Sequence, residues 1–222
     1  MPRRLSSRMD IIFYRLLRFY GVPDRIISTL QGNFQLPKPY AANEEPKEIS
    51  GTLPWLYFWG ATGTGKSTYA AYLLAVFLRC RSRLGDGKQA HALTNEHDTS
   101  YLPTYRPRGS AIGASPFYRY VRVSDLLYKM KADFGSSDHG GAQLFQSCVD
   151  ASFLILDDLT TQPSNWELTQ LDLLIDQRYG SGKQTIITSN HPLERLGEVV
   201  SERIRGRIGE IARQKRMTKG YR

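Results

Sequence analysis

The chain has 222 residues, 41% of them hydrophobic, enough for one α/β domain with short extensions and a buried core. Its 30 Lys and Arg outnumber 21 Asp and Glu, leaving a formal charge of +9 and a pI near 9.6, which suits a polyanionic partner such as nucleic acid. No apolar stretch is long enough to span a membrane, and Cys80 and Cys148 are far apart in sequence. With no close partner in sequence for either cysteine, a reduced cytoplasm is expected. His91 and His97 lie near Cys80, but their spacing fits no zinc pattern and they read as loop residues.

The first predicted element is an amphipathic helix. Met9, Ile12, Phe13, Leu16, Leu17 and Tyr20 fall on one face, Arg15 and Arg18 on the other, and Gly21 and Pro23 end it. Packing on the following domain and docking to a partner are both open to this helix. Arg3, Arg4 and Arg8 precede the first acid, Asp10, so a mitochondrial presequence is a further alternative. Residues 35–52 are polar and Pro-rich and read as a connector. The domain organisation expected is an N-terminal helix and linker over 1–52, then a catalytic domain over 53–222.

That domain opens with "WLYFW", a short aromatic run predicted to be a buried strand. The turn that follows, Gly60, Ala61, Thr62, Gly63, Thr64, Gly65, Lys66, Ser67 and Thr68, contains G-x-x-x-x-G-K-[ST]. Tyr69, Leu73, Leu74 and Phe77 then recur at helical spacing, so the turn joins a strand to a helix N-terminus. Glycines let successive N–H groups point inward at phosphate oxygens, and the helix start adds its free amides. Lys66 is expected on the terminal phosphates of a nucleoside triphosphate, ATP in the first instance, and Ser67 on Mg²⁺.

The helix is predicted to run to about Arg81. Residues 83–116 then form an insertion too long for an ordinary connection. Within it, Tyr101 and Tyr105 interleave with Arg106 and Arg108, a composition that suits stacking on unpaired bases and equally a solvated loop. "FYRYVRV" (117–123) alternates like a strand, and "SDLLYKMKADF" reads as a helix capped by Ser124. A helix around Ala142 to Cys148 follows the glycine-rich "GSSDHGG". "SFLILDDL" is a buried strand ending in Asp157 and Asp158. A helix through Trp166, Leu168, Leu171, Leu174 and Ile175 leads to a further strand, "QTIITSN", ending in Ser189 and Asn190. The rest reads as a basic helical region and short tail. Strands alternating with helices predict a doubly wound, mostly parallel sheet of the P-loop NTPase type, with a short helical N-terminal extension and a basic C-terminal helical tail.

In such a sheet, ligands sit at the carboxyl ends of the strands. Asp157 is placed to hold Mg²⁺ through water, and Asp158 to polarise the attacking water. Twin carboxylates after a buried run are costly without such a task. Asn190 is placed to orient the same water or sense the γ-phosphate.

"GATGTGKST", "FLILDDL", "TIITSN" and "SERIRGRI", in that order and at these intervals, resemble the AAA+ ATPases of the DnaC/DnaI helicase-loader family and the related IstB transposition helpers. "YGVPDRIISTLQGNF" and the closing "KGYR" extend the resemblance over about residues 21–222. It implies an AAA+ fold, ATP hydrolysis, Asn190 as the sensor-1 residue and Arg207 as an arginine finger acting on a neighbouring subunit's ATP. Arg203 and Arg205 are nearby alternates, and Arg222 is implied to lie near the nucleotide. Implied partners are further copies of the chain, single-stranded DNA and a replicative DNA helicase. An IstB-like transposition helper binding duplex DNA is the alternative. A small-molecule P-loop kinase fits the twin Asp and the TSN strand end poorly, and complete catalytic motifs argue against a non-catalytic switch.

Overall fold

The computed structural model describes residues 14–31, 55–84, 118–134, 137, 139–159 and 162–218. The first 13 residues, the connector over 35–52, Tyr101, Tyr105, Arg106, Arg108 and Arg222 lie outside the described residues.

Five strands form one parallel sheet: β1 (Trp55–Trp59), β2 (Tyr118–Arg122), β3 (Phe153–Asp157), β4 (Gln184–Ser189) and β5 (Ala212–Arg216), in the order β2-β3-β4-β1-β5. The helices are α1 (14–19), α2 (Asp24–Gln31), α3 (Lys66–Leu84), α4 (Val123–Ala132), α5 (Gly140–Asp150), α6 (Asn165–Gly180), α7 (Leu193–Val199) and α8 (Glu202–Ile211). Side chains alternate across the sheet. Trp55 and Tyr57 of β1 join α4 to α8 in one core layer, while Leu56 and Phe58 join α1, α2 and α3 in the other. Burial on both faces is why the strands read as near-continuous apolar runs.

Two local expectations change. Ser124 does not cap α4: β2 runs straight into the helix, which starts at Val123 with Arg122 as its cap residue and no side-chain cap bond. Val123 is fully buried, and seating it on the core starts the helix one residue early. The basic stretch after Ile211 ends as strand β5, which pairs with β1 from Trp55↔Ala212 to Trp59↔Arg216. Its exposed positions carry no apolar alternation. It is held instead by the backbone ladder and by cations on aromatic faces, Lys215 over Tyr69 and Arg216 over Trp59.

The N-terminal segment packs on the domain. Leu16, Leu17 and Tyr20 are buried with Val22, Ile26 and Ile27 against α3 and the sheet. The Tyr120 N–H of edge strand β2 donates to the Tyr20 carbonyl at 2.7 Å. Gly21, at φ 94°, passes so close that a Cβ there would stand 2.5 Å from the Tyr120 carbonyl oxygen. Of the two uses open to this helix, packing is the one Leu16 and Leu17 take.

Among the described residues, one cation is wholly interior. Arg178, near the end of α6, is fully buried and donates to the carbonyls of Cys148 (2.7 Å), Val149 (3.3 Å), Ala151 (2.7 Å) and Gln184, and to Thr185 Oγ1 (2.9 Å). It thereby satisfies carbonyls at the end of α5 and ties them to the start of β4. Burial pulls its pKa down to about 10.

Candidate nucleotide site at the strand ends

The register puts the ends of β1 and β4 side by side, with Trp59 opposite Ser189, so Gly60 and Asn190 leave the sheet together. The β3 end lies on the far side of β4. Three elements distant in sequence thus deliver their last residues to one rim.

The turn after β1 takes its shape from glycine. Gly60, Gly63 and Gly65 have φ of 150°, 81° and 86°, where other residues are strained. Gly60 is required twice over, because a Cβ there would stand 2.2 Å from the Met217 carbonyl oxygen. Met217 N–H in turn donates to the Trp59 carbonyl at 2.6 Å, so the residue after β5 clamps the base of the turn. Ala61, Thr62 and Gly63 form its exposed crest. Thr64 is buried and closes the turn by donating from Oγ1 to the Ala61 carbonyl at 2.8 Å. The first bond of α3 runs from Tyr69 N to the Gly65 carbonyl, so the amides of Lys66, Ser67 and Thr68 lie ahead of it. No acid stands in the first turn of α3. Forward amides, a positive dipole end and a lysine without a nearby helix acid fit a polyphosphate.

Lys66 is 7% exposed, and its ammonium donates to the Gly60 carbonyl (2.8 Å), the Ala61 carbonyl (3.0 Å) and Asn190 Oδ1 (2.8 Å). The bond to Asn190 joins two residues that the sequence nominated separately. Burial lowers the lysine's pKa, and the charges of Asp158 and Asp157 counter that shift.

Asp157 is 2% exposed, and both its oxygens are held. Thr188 Oγ1 donates to Oδ1 at 2.7 Å, and Tyr120 Oη donates to Oδ2 at 2.5 Å. The pKa of Tyr120 is raised by burial first and then by the neighbouring carboxylate. Hydroxyl and carboxylate oxygens are the hard donors Mg²⁺ prefers, so Ser67 and Asp157 fit that ion. Asp158 is exposed and adopts φ 64°, the left-handed conformation that no other non-glycine takes among the described residues. Aspartate tolerates it better than most, and such strain gathers at functional sites. The Asp158 N–H donates to Thr188 Oγ1 at 2.8 Å, and Leu159 N–H to the Thr188 carbonyl at 2.8 Å. Ser189 Oγ closes the lattice by donating to the Leu159 carbonyl at 2.9 Å. The turn that aims Asp158 is therefore stitched to the end of β4.

The structure groups Lys66, Asn190, Ser67, Asp157 and Asp158, and it places Arg207 elsewhere. Arg207, on α8, pairs with Asp172 (3.2 Å) and Asp176 of α6 in its own chain. Arg203 pairs with the same two acids at 2.8 and 2.6 Å, and Arg205 with Glu202 at 2.6 Å. Sequence reasoning missed Tyr120 and Thr188. Each sits inside an alternating or apolar strand and reads as core; only the pairing of β2 with β3 and of β3 with β4 reveals a polar tip facing Asp157.

No protein-family model matches the chain. It is similar to the replicative helicase loader DnaC of Escherichia coli K12 and of Shigella flexneri, at 23% identity over 168 residues, 75% of this chain and 55% of that protein. The chain thus spans about half the length of the curated relatives it matches. In fold it resembles the crystal structure of the DnaC helicase loader (TM-score 0.54, 18% identity, covering 96% of this chain and 100% of that one). It also resembles DnaI (0.53, 16%, 100% and 87%) and the replication initiator DnaA bound to AMPPCP and single-stranded DNA (0.52, 14%, 78% and 44%). Among the described residues, no helix is long and apolar enough to cross a membrane.

Proposed function

With a DnaC/DnaI-like AAA+ ATPase fold as the premise, we propose that the chain is an ATP-driven helicase loader of the cytoplasm, one that binds single-stranded DNA, assembles with its own copies and acts on a replicative helicase. The observation that carries the ATPase part is the convergence of Lys66, Asn190, Asp157 and Asp158 at the carboxyl ends of β1, β4 and β3. Gly60, Ala61, Thr62, Gly63, Thr64 and Gly65 wrap the phosphates, with the amides of Lys66, Ser67 and Thr68 at their base. Lys66 exchanges its loop carbonyls for the terminal phosphates. Asp158 accepts a proton from the attacking water, and Asn190 orients that water beside the γ-phosphate. Ser67 and, through water, Asp157 would hold Mg²⁺, which would supply charge neutralisation on the phosphate oxygens. Arg207 serves a neighbouring subunit's ATP once it leaves Asp172 and Asp176. The helicase and DNA parts rest on similarity to DnaC and DnaA and on the charge of +9.

The test is ATP binding and turnover by wild type and Lys66→Ala, with single-stranded DNA, duplex DNA and a replicative helicase added in turn. The expected result is Mg²⁺-dependent binding lost in the folded Lys66→Ala protein, turnover that responds to single strands, and co-purification with the helicase. Unchanged nucleotide affinity in Lys66→Ala would sink the site. A duplex preference without helicase association would promote the transposition-helper alternative.

A further inference from the structure

We propose that Tyr120 is a positioning residue of the metal site, a phenol that with Thr188 fixes the carboxylate of Asp157. This deepens the ATPase reading above and rests on it. Two oxygens expected to serve one cation come from different elements, Ser67 from the first turn of α3 and Asp157 from the end of β3. Asp157 is gripped from both neighbouring strands, by Tyr120 of β2, which is 2% exposed, and by Thr188 of β4.

The direction of the bonds gives the phenol its task. Tyr120 has one proton, and that proton goes to Asp157 Oδ2 at 2.5 Å. On the carboxylate, Tyr120 and Thr188 hold one oxygen each. An ionised carboxylate has about four acceptor positions, so two remain for metal-bound water. Groups standing behind ligands in this way typically contribute 10–100-fold in metal affinity.

Tyr120→Phe removes the hydroxyl and keeps the ring. It also keeps the backbone bond from Tyr120 N–H to the Tyr20 carbonyl, so the β2 edge stays in place. The experiment measures ATP affinity by calorimetry in Mg²⁺ and in EDTA, for wild type, Tyr120→Phe, Thr188→Val and Lys66→Ala. The expected result is a wild-type ratio of the two affinities that falls about tenfold in Tyr120→Phe and in the same direction in Thr188→Val. A general loosening of the fold would lower both affinities together and leave the ratio alone. A ratio in Tyr120→Phe that matches wild type, or exceeds it, overturns the proposal; an increase would mean that the phenol competes with the ion. If wild type itself shows no ATP binding, or Lys66→Ala binds as wild type does, the failure belongs to the nucleotide site as a whole. Mn²⁺ in place of Mg²⁺ gives an independent readout, since its spectrum with bound ATP should shift in Tyr120→Phe.

Discussion

Replacing Arg178 with Met tests how much of this fold hangs on one interior cation. The guanidinium is fully buried, with donors on four backbone carbonyls and one hydroxyl. Methionine fills much of the space and supplies no donor. The Val149 carbonyl keeps the Lys183 ammonium at 2.9 Å, and each of the three carbonyls left short costs about 1–3 kcal/mol, for a gross loss of about 3–9. Against this stands the relief of no longer burying a charge, worth several kcal/mol. A net loss of about 3 kcal/mol follows, near the top of what single substitutions usually do. For a domain of this size each kcal/mol moves Tm by about 2–4 °C, so the melt should fall by roughly 10 °C. Urea unfolding should show a lower midpoint with an unchanged slope, since the exposed surface is the same. Arg178→Lys should recover only part, because an ammonium reaches fewer of the five acceptors. A Tm within about 2 °C of wild type in Arg178→Met would refute the reasoning and show that water or a local shift satisfies those carbonyls.

Acid stability should depend on Glu167. Lys131 at 2.8 Å and the Ser164 N–H of the α6 capping box hold its carboxyl down at about 2. Its folded pKa lies below its unfolded one, so its contribution is full above about pH 4.5 and is lost as pH falls toward 2. Glu167→Gln should be less stable than wild type at pH 7 and converge with it near pH 2; curves that stay parallel would contradict the assignment. If Arg207 acts across subunits, Arg207→Ala should bind ATP and turn it over poorly, as arginine fingers contribute roughly 10³–10⁵ in rate. Mixing it with Lys66→Ala should restore some turnover, because one pairing joins an intact pocket to an intact finger. No recovery in subunits shown to co-assemble would count against a shared site.

Much of the candidate site was legible because its residues sit in short local patterns. The Gly60–Ser67 pattern, the acids ending an apolar run and the TSN strand end each announce themselves locally, and the parallel sheet then brings them together. What stayed hidden depends on tertiary pairing. Tyr120 lies in an alternating strand, and Arg178 lies just past the apolar positions of a predicted helix. Nothing nearby in the chain says that one faces Asp157 or that the other turns inward to cap α5. Strand β5 escaped because its pairing with β1 outweighs a composition that has no strand alternation. The Ser124 cap failed because burial of Val123 outranks a local capping preference of about 1 kcal/mol.

The clamp of Met217 on Gly60 orders events during synthesis. The turn expected to receive ATP is made early, but the strand that borders β1 and the carbonyl that packs on Gly60 come near the end of the described chain. Until β5 has left the ribosome, β1 carries an open edge, and the phosphate turn lacks the backbone that fixes its base. Contacts so distant in sequence are slow to form. A chain cut before β5 would thus hold the whole glycine-rich turn with its base unclamped and the β1 edge unpaired.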